Sequence, residues 1–304
     1  QINYSEWPPL IAAKNSGVNT AAIILSWDNL TTKGSFPVEF NSYMVWSKSM
    51  KDELKREYNV DERKINVTGA INFDSYYQNK YFESKSDFLK RYNLKENSKI
   101  LLYGSVTPAL MPNDPEVCKI LATAAAENKL ICDINLLVRL HPKDNMRRWE
   151  KLSEQFPEIK FSVPNPMGDL SSWIPNDKII LDQVSCIKYS DVNINVCSTL
   201  TIDSCIVNRP VVNIAFDPID KEFSQIVFNY YNTDHYKIVV DTGAVSLAEN
   251  AVQLIDMVNT YLANPEKDYE ARKKIAIIQT EFTDGKNSER IVKSIEKILQ
   301  QDNI

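Results

Sequence analysis

The sequence predicts an α/β protein with two doubly wound parallel sheets. Short apolar runs rich in β-branched residues alternate along the chain with amphipathic stretches, which is the pattern of βαβ units. At 304 residues the chain suits about two domains on the usual ~150-residue prior. Its apolar content of 43% and charged content of 25% are those of an ordinary globular protein.

The first predicted domain comprises residues 1–97. Its strands are predicted at Thr20–Leu25, Ser42–Trp46 and Lys64–Thr68, and its helices at Lys48–Tyr58 and Lys85–Tyr92. Three strands are too few for a complete doubly wound domain. We therefore expect this domain to be incomplete and to represent the second half of such a domain. A polar connector at Asn93–Ser98 sets the predicted boundary.

Residues 98–304 are predicted to form the second domain. Its predicted strands are Lys99–Tyr103, Asn135–Leu140, Glu158–Val163, Lys178–Leu181, Val192–Val196, Pro210–Ile214 and Lys237–Val240. Its predicted helices are Pro115–Asn128, Arg147–Gln155, Ser185–Ser190, Leu200–Val207, Ala244–Ala263, Tyr269–Thr280 and Ser288–Gln300. This alternation predicts a doubly wound sheet.

Charge and composition exclude several classes of protein. With 35 basic and 40 acidic residues the net charge is −5, so the chain lacks the basic footprint of a nucleic-acid-binding protein. No apolar run approaches the ~18 residues of a membrane span. Five cysteines without CxxC spacing indicate reduced thiols. We expect a cytoplasmic protein with at most peripheral membrane association, at the inner face of the membrane.

Residues that directly follow the predicted strands are the first candidates for a site, because ligands bind outside the carboxyl ends of parallel strands. Gly104, Ser105 and Thr107 follow one strand of the second domain, and His141 and Lys143 follow the next. A histidine in this position can donate to a phosphate or act as an acid or base near neutral pH. The alternative, a purely structural histidine, stays open. Lys143, or Arg139 on the strand itself, could add positive charge.

The segment Asn195–Asn208 carries the sharpest motif. A buried strand runs into Ser198 and Thr199, which can cap the helix that follows. The free N–H groups at a helix N-terminus form an anion site suited to a diphosphate. Asp203, one turn into that helix, could accept hydrogen bonds from ribose hydroxyls. Simple helix capping explains the same residues equally well.

The turn Ser26–Gly34 supplies the candidates of the first domain. Asp28 is its only acid and is the predicted general base for an acceptor hydroxyl. Trp27 and Asn29 flank it as acceptor-side residues, and Trp27 could stack on a sugar. A local Asx turn at Asp28 and a buried core tryptophan are the alternatives.

Several well-known motifs are missing from the sequence. It contains no GxGxxG, GxxxxGKS or GxSxG motif, which makes a dinucleotide-dependent dehydrogenase, a P-loop enzyme or a serine hydrolase unlikely choices. It also contains no Asp-x-Asp pair in a loop. We expect no metal and no cofactor, with a nucleotide-activated donor as a substrate.

The motifs LVRLHPKD (137–144), NVCSTLTIDSCIVNRPVVNIAFD (195–217) and EFTDGKNSERIV (281–292) resemble the C-terminal half of GT-B transferases. SWDNLTTKG (26–34) and VTGAINFD (67–74) resemble the end of the N-terminal domain in the same group. The most similar families are the CDP-glycerol glycerophosphotransferase-like proteins and bacterial surface-polysaccharide glycosyltransferases. The resemblance spans most of residues 20–292 and implies a GT-B-like pair of Rossmann-like domains.

The resemblance also implies roles for the candidate residues. The second domain would hold the donor, with its phosphates at Ser198 and Thr199 and in contact with His141, and Asp28 would face the acceptor. The glycerophosphotransferases usually carry Pro-Arg after the TG turn, whereas this chain has Ala70-Ile71-Asn72 after Gly69. That departure favours a sugar donor.

The predicted function is therefore metal-independent transfer of a sugar from a nucleotide sugar to a saccharide or lipid-linked hydroxyl acceptor, in bacterial cell-surface polysaccharide synthesis. Two alternatives remain. A non-hydrolysing UDP-sugar 2-epimerase has the same two-domain architecture and needs no acceptor. A non-catalytic GT-B-like binding protein would bind a partner without turning over any nucleotide.

Overall fold

The computed structural model describes residues 6–166 and 174–301. Internal contacts divide the chain into two compact units, which we call unit 1 (residues 1–78 and 276–304) and unit 2 (residues 79–275). Both units are α/β with parallel strands, so the predicted fold class is confirmed. No helix among the described residues has the length and apolar character to cross a membrane.

Nine strands and thirteen α-helices lie in the described part of the chain. The strands are β1 (Ala21–Ile23), β2 (Ser42–Val45), β3 (Ile65–Val67), β4 (Lys99–Gly104), β5 (Ile134–Arg139), β6 (Lys160–Ser162), β7 (Val192–Asn195), β8 (Val211–Ile214) and β9 (Ser246–Ala248). The helices are α1 (Trp7–Asn15), α2 (Asn29–Thr32), α3 (Lys48–Tyr58), α4 (Lys85–Tyr92), α5 (Asp114–Ala126), α6 (Glu150–Gln155), α7 (Asp177–Tyr189), α8 (Leu200–Ile206), α9 (Lys221–Asn229), α10 (Asp234–Asp241), α11 (Ala251–Ala263), α12 (Tyr269–Thr280) and α13 (Asn287–Gln301). Short 3-10 turns occur at Glu62–Lys64, Ile71–Tyr76, Asn79–Tyr81, Met146–Trp149 and Tyr230–Asn232.

Unit 1 contains a three-stranded parallel sheet in the order β1-β2-β3. The central strand β2 is buried along its whole length, as expected for a strand with neighbours on both sides. Its three strands and the helix α3 confirm the elements predicted for this part of the chain.

The C-terminal helix α13 also belongs to unit 1, where Asp74 caps it. The Asp74 carboxylate accepts the backbone N–H groups of Asn287 and Ser288, both at 2.9 Å. The Asn287 amide donates to the Ala70 carbonyl at 3.0 Å. Gly69 has φ +79°, and a Cβ on it would lie 2.1 Å from Asn287 Oδ1, so only glycine fits. The two motifs VTGAINFD and EFTDGKNSERIV therefore form one junction.

Unit 2 contains a six-stranded parallel sheet in the order β6-β5-β4-β7-β8-β9. Two predicted strands are wrong, because Lys178–Leu181 lies in α7 and Lys237–Val240 lies in α10. A short apolar run of β-branched residues can be either a strand or one buried turn of a helix, and the sequence pattern does not distinguish them. In α10, for example, Tyr236 and Val239 are fully buried at a helical spacing of three. The last strand comes from Ser246–Ala248, which had been predicted as helix.

The division between the units differs from the boundary predicted at residue 97. Helix α4 belongs to unit 2, because the Tyr92 hydroxyl donates to Asp182 Oδ1 at 2.5 Å and Arg91 forms an ion pair with the same carboxylate. Tyr81 donates to Asp177 at 3.0 Å. These partners are about ninety residues away along the chain, beyond the polar connector at residues 93–98. The domain boundary at residue 97 stays a prediction.

Candidate functional site

The carboxyl ends of five strands in unit 2 form one continuous edge. Pairing register aligns Ser162 with Arg139, Arg139 with Gly104, Gly104 with Asn195, and Asn195 with Asn213. The predicted loops after β4, β5 and β7 therefore start at the same level of the sheet. This is the edge at which ligands bind in open parallel sheets.

Gly104 lies close to the Leu200 side chain. A Cβ at this position would lie 2.2 Å from Leu200 Cδ2. Because Leu200 is the first residue of α8, the glycine allows that helix to approach the end of β4. Gly104 can contribute to the site by its effect on the position of α8, and this role needs no direct contact with a ligand.

Ser105 ties the loop after β4 to the loop after β5. Its hydroxyl accepts the backbone N–H of His141 at 2.9 Å and donates to Asp144 Oδ2 at 2.8 Å. The same Asp144 oxygen accepts from Arg148 and from the Trp149 indole, both at 2.9 Å. Asp144 is fully buried, so this carboxylate is an internal anchor for the turn that carries His141.

His141 is held in one neutral tautomer. Its Nδ1 accepts the backbone N–H of Lys143 at 3.0 Å, which leaves the proton on Nε2. Burial, with a further contribution from the charge of Lys143, lowers the pKa of His141 to about 4 against the opposing charge of Asp144. The imidazole is therefore an uncharged hydrogen-bond donor at neutral pH. Lys143 is exposed beside it.

The turn between β7 and α8 carries the two predicted hydroxyl residues. Ser198 Oγ accepts the backbone N–H of Leu200 at 3.2 Å, and Thr199 is the N-cap residue without a side-chain cap hydrogen bond. Both side chains are half-buried. The Ser198 hydroxyl therefore caps the start of α8, in agreement with the alternative of simple helix capping. The Thr199 hydroxyl does not act as a cap.

Two other predicted residues of unit 2, Asp203 and Arg139, have buried side chains with partners inside the protein. Asp203 is 3% exposed and receives a long hydrogen bond of 3.4 Å from Gln183, which argues against a ribose contact. Arg139 is buried and donates to Ser162 and Asp182, both at 2.6 Å, so its charge is directed inward. Thr107 is half-buried, and its backbone carbonyl accepts the Leu110 N–H at 2.9 Å.

The sequence analysis did not single out Asp114, which positions the loop after β4. Its carboxylate accepts the Val106 backbone N–H at 2.9 Å and the Tyr103 hydroxyl. Burial raises the pKa of Asp114 to about 6 against the opposing charge of Arg148. Its signal in the sequence was an acid directly before Pro115 at a helix start, which is a common cap pattern and points to no site by itself.

In the Ser26–Gly34 turn of unit 1 the Asp28 carboxylate has partners within the turn, and the Tyr58 hydroxyl donates to the Leu30 and Gly34 carbonyls at 2.7 and 3.2 Å. Ser26 donates to Asp28 Oδ1 at 2.5 Å, Thr32 donates to Oδ2 at 3.2 Å, and Lys33 lies 3.1 Å from Oδ2. Trp27 is 4% exposed, which favours the core alternative over sugar stacking. Asn29 starts α2, and its backbone N–H donates to the Ser26 carbonyl at 3.1 Å.

A groove of about 1060 Å³ in unit 2 lies away from all these residues. It runs between α5, α11 and the loop after β8, and its lining includes Ile120, Asp217 and Val252. Within residues 6–166 and 174–301, no group of three or more His, Cys, Asp or Glu side chains could hold a metal ion. Metal independence stays a prediction.

The comparisons with known proteins identify one family. The model for the family described as CDP-Glycerol:Poly(glycerophosphate) glycerophosphotransferase matches residues 37–297. No curated protein sequence matches the chain.

Solved structures of low sequence identity share the fold. A structure of S. aureus MnaA with UDP has 15% identity and a TM-score of 0.60, over 95% of this chain and 70% of that one. The UDP-GlcNAc 2-epimerase from Neisseria meningitidis bound to UDP-GlcNAc has 15% identity and a TM-score of 0.62, over 96% and 73%. The wall teichoic acid polymerase TagF with CDPG has 16% identity and a TM-score of 0.54, over 86% and 58%. This chain thus spans less than two thirds of TagF. These likenesses show a GT-B-type α/β fold.

Proposed function

Because the chain belongs to the CDP-glycerol:poly(glycerophosphate) glycerophosphotransferase family, we propose that it transfers a polyol-phosphate group from a CDP-activated donor to a hydroxyl acceptor. The product would be part of a bacterial cell-surface polymer. The observation that carries the proposal is the carboxyl edge of unit 2, where a neutral histidine and two hydroxyl residues follow aligned strands. Donor phosphates suit this edge because all three groups can donate hydrogen bonds to anionic oxygens.

His141 has the main role in this proposal. Its Nε2–H would donate to a phosphate oxygen of the donor and stabilise charge that develops as the nucleotide leaves. A phosphate anion next to the ring would also favour the protonated imidazole, and because the second proton must go on Nδ1, protonation requires the hydrogen bond from the Lys143 N–H to open. Ser198 and Thr199 hydroxyls would contact the same phosphates, and the exposed Lys143 ammonium would add attraction.

The bond changes define the leaving group. The acceptor oxygen forms a new bond to the distal phosphorus of the donor, and the bond from that phosphorus to the bridging oxygen breaks. CMP leaves with the electron pair of the broken bond, and the acceptor proton passes to a base or to solvent. Asp28 was predicted as that base, and this assignment stays a prediction. We also propose that the acceptor is a saccharide or a lipid-linked molecule at the inner face of the membrane.

Sugar transfer is the second candidate, because Ala70-Ile71-Asn72 replaces the Pro-Arg common in glycerophosphotransferases. In the structure this segment contacts the start of α13. The Ala70 carbonyl accepts a hydrogen bond from the Asn287 amide, and Gly69 has no side chain that would collide with Asn287. Because these residues have a structural role, the absence of Pro-Arg is weak evidence about the kind of donor. We therefore place polyol-phosphate transfer ahead of sugar transfer.

The released nucleotide distinguishes the candidates. The full chain would be incubated with CDP-glycerol and a poly(glycerophosphate) acceptor, or with UDP- and CDP-sugars and a saccharide acceptor, and the nucleotides would be separated by chromatography. Acceptor-dependent CMP release from CDP-glycerol is the expected result. Nucleoside diphosphate release from a UDP-sugar would favour sugar transfer. An altered sugar from UDP-GlcNAc without acceptor would indicate an epimerase, and no nucleotide binding by calorimetry would indicate a non-catalytic protein.

A further inference from the structure

Two buried tyrosines lie against the turn between β7 and α8. Tyr231 belongs to the 3-10 turn Tyr230–Asn232, and Tyr236 belongs to α10. Their rings pack edge to face, with centroids 5.2 Å apart and planes at 80°. Both are more than nine-tenths buried, although the sequence places them over thirty residues beyond the turn.

The segment that carries this pair is joined to the turn. The Cys197 thiol donates to the Tyr230 carbonyl at 3.8 Å. The Ser198 and Cys197 backbones oppose the effect of burial on the pKa of Tyr236 and Tyr231, respectively. Burial raises the pKa of both phenols well above the ordinary value, so they stay protonated throughout the physiological range.

Each phenol also has a partner on the sheet. Tyr236 donates to Asn213 Oδ1 at 2.8 Å and lies 2.7 Å from Thr201 Oγ1. Thr201 in turn donates to Asn195 Oδ1 at 3.0 Å. Tyr231 donates to the Ile214 carbonyl at 2.6 Å. The ends of β7 and β8 and the first turn of α8 are therefore joined through one buried polar network.

We propose that Tyr236, assisted by Tyr231, is a positioning residue that holds Cys197–Thr199 in the shape that receives the donor phosphates. The inference rests on the proposed function, because it assigns the turn to the donor. Neither tyrosine needs to touch the donor. Buried hydrogen-bond networks of this kind fix a single geometry, and a site must be held within about half an ångström to be effective.

A matched control separates positioning from plain stability. Tyr261 is also fully buried, and its phenol lies 2.9 Å from Ser246 Oγ and donates to Asp268 at 2.8 Å. Ser246 is the first residue of β9, so Tyr261 serves the opposite end of the strands from the donor turn. Replacing either tyrosine with phenylalanine removes one buried hydroxyl with two side-chain partners.

The test compares Tyr236→Phe with Tyr261→Phe in the full chain. Thermal midpoint, affinity for CDP-glycerol and for CDP by calorimetry, and deuterium exchange of residues 197–201 would be measured. We expect both variants to lose similar thermal stability. Only Tyr236→Phe should raise the dissociation constant, by roughly tenfold, the effect of one lost hydrogen bond of ordinary strength. Only Tyr236→Phe should accelerate exchange at the Ser198 amide.

A second pair of variants keeps the test decisive if Tyr236→Phe does not fold. Thr201→Val removes the neighbouring hydroxyl, and Thr201→Ser retains it and should restore affinity and slow exchange. Equal affinities in Tyr236→Phe and Tyr261→Phe, with unchanged exchange at Ser198, would overturn the inference. If the wild-type protein binds neither CDP-glycerol nor CDP, the proposed function fails, and the exchange data alone still decide whether Tyr236 holds the turn.

Discussion

The His141 turn of unit 2 and the Asp28 turn of unit 1 were predicted by the same argument and are built differently. His141 is fixed by Ser105, which belongs to another loop, and by the buried Asp144 behind it. Asp28 contacts Ser26, Thr32 and Lys33, all within five residues. The His141 turn is anchored through a buried carboxylate, whereas the Asp28 carboxylate is part-exposed and is engaged by neighbours along the chain. The backbone of the Asp28 turn is instead held by the Tyr58 hydroxyl, which donates to the Leu30 and Gly34 carbonyls. The donor side is therefore the better supported half of the proposal.

Loss of the anchor behind His141 should have the largest effect. Asp144→Ala leaves the Ser105 hydroxyl, the Arg148 guanidinium and the Trp149 indole without their shared acceptor. We expect a decrease of about 3–5 kcal/mol in the free energy of unfolding, as for other broken buried ion pairs. Urea denaturation measures it. The control, Asp28→Ala, removes a part-exposed pair and should lose no more than about 1 kcal/mol. Equal losses would erase the difference between the two turns.

His141→Gln should have the next largest effect, and it should be on activity. Glutamine can still accept the Lys143 N–H, but it lacks an imidazole that can take up charge as the nucleotide leaves. We expect turnover to fall roughly 100-fold, within the usual range for acid–base groups. Acceptor-dependent CMP release measures it, with an unchanged thermal midpoint as the folding check. Lys143→Gln, exposed and two residues away, should lose less than about tenfold. Turnover near that of the wild type would remove His141 from the mechanism.

Asp28→Asn tests the other half of the comparison. Since the carboxylate is engaged by Lys33 and two hydroxyls, we expect turnover to fall less than about tenfold, below the usual contribution of a general base. The same assay of CMP release applies, and Lys33→Gln serves as the partner control. A loss of 100-fold or more in a folded Asp28→Asn protein would support Asp28 as the acceptor base.

The last expected effect is a dependence of stability on pH. His141 has a folded pKa of about 4 against an ordinary value near 6.5, so the unfolded chain binds its proton first. The stabilisation is present above pH ~6.5 and is lost as pH falls towards 4, by at most about 3 kcal/mol. Asp114, with its pKa raised to about 6, acts in the opposite direction over part of this range. Comparing wild type with His141→Gln by urea denaturation at pH 7 and pH 5 cancels the Asp114 contribution. Parallel losses in both proteins would show that His141 is not the group responsible.

Particular residues show which inferences a single sequence supports. The strand ends at Gly104, Arg139 and Asn195 were predicted to within one residue, because buried parallel strands produce apolar runs that are visible locally. Similar apolar runs led to wrong strand predictions at Lys178–Leu181 and Lys237–Val240, because a helix with one buried side can contain the same pattern. Asp203 and Arg139 were in the predicted place, but their side chains are buried against partners that the sequence did not reveal.

The sequence by itself determined the α/β class, the parallel strands and the loops at which a donor site could lie, because each depends on residues adjacent along the chain. Tertiary structure alone decided which side chains hold those loops in place. Asp144 is buried behind His141, Tyr236 contacts Thr201 at the start of α8, and Asp74 caps the start of α13. The last two act between residues that are far apart in sequence. Such contacts form when distant segments pack together, and the hydrophobic periodicity of the sequence does not predict them.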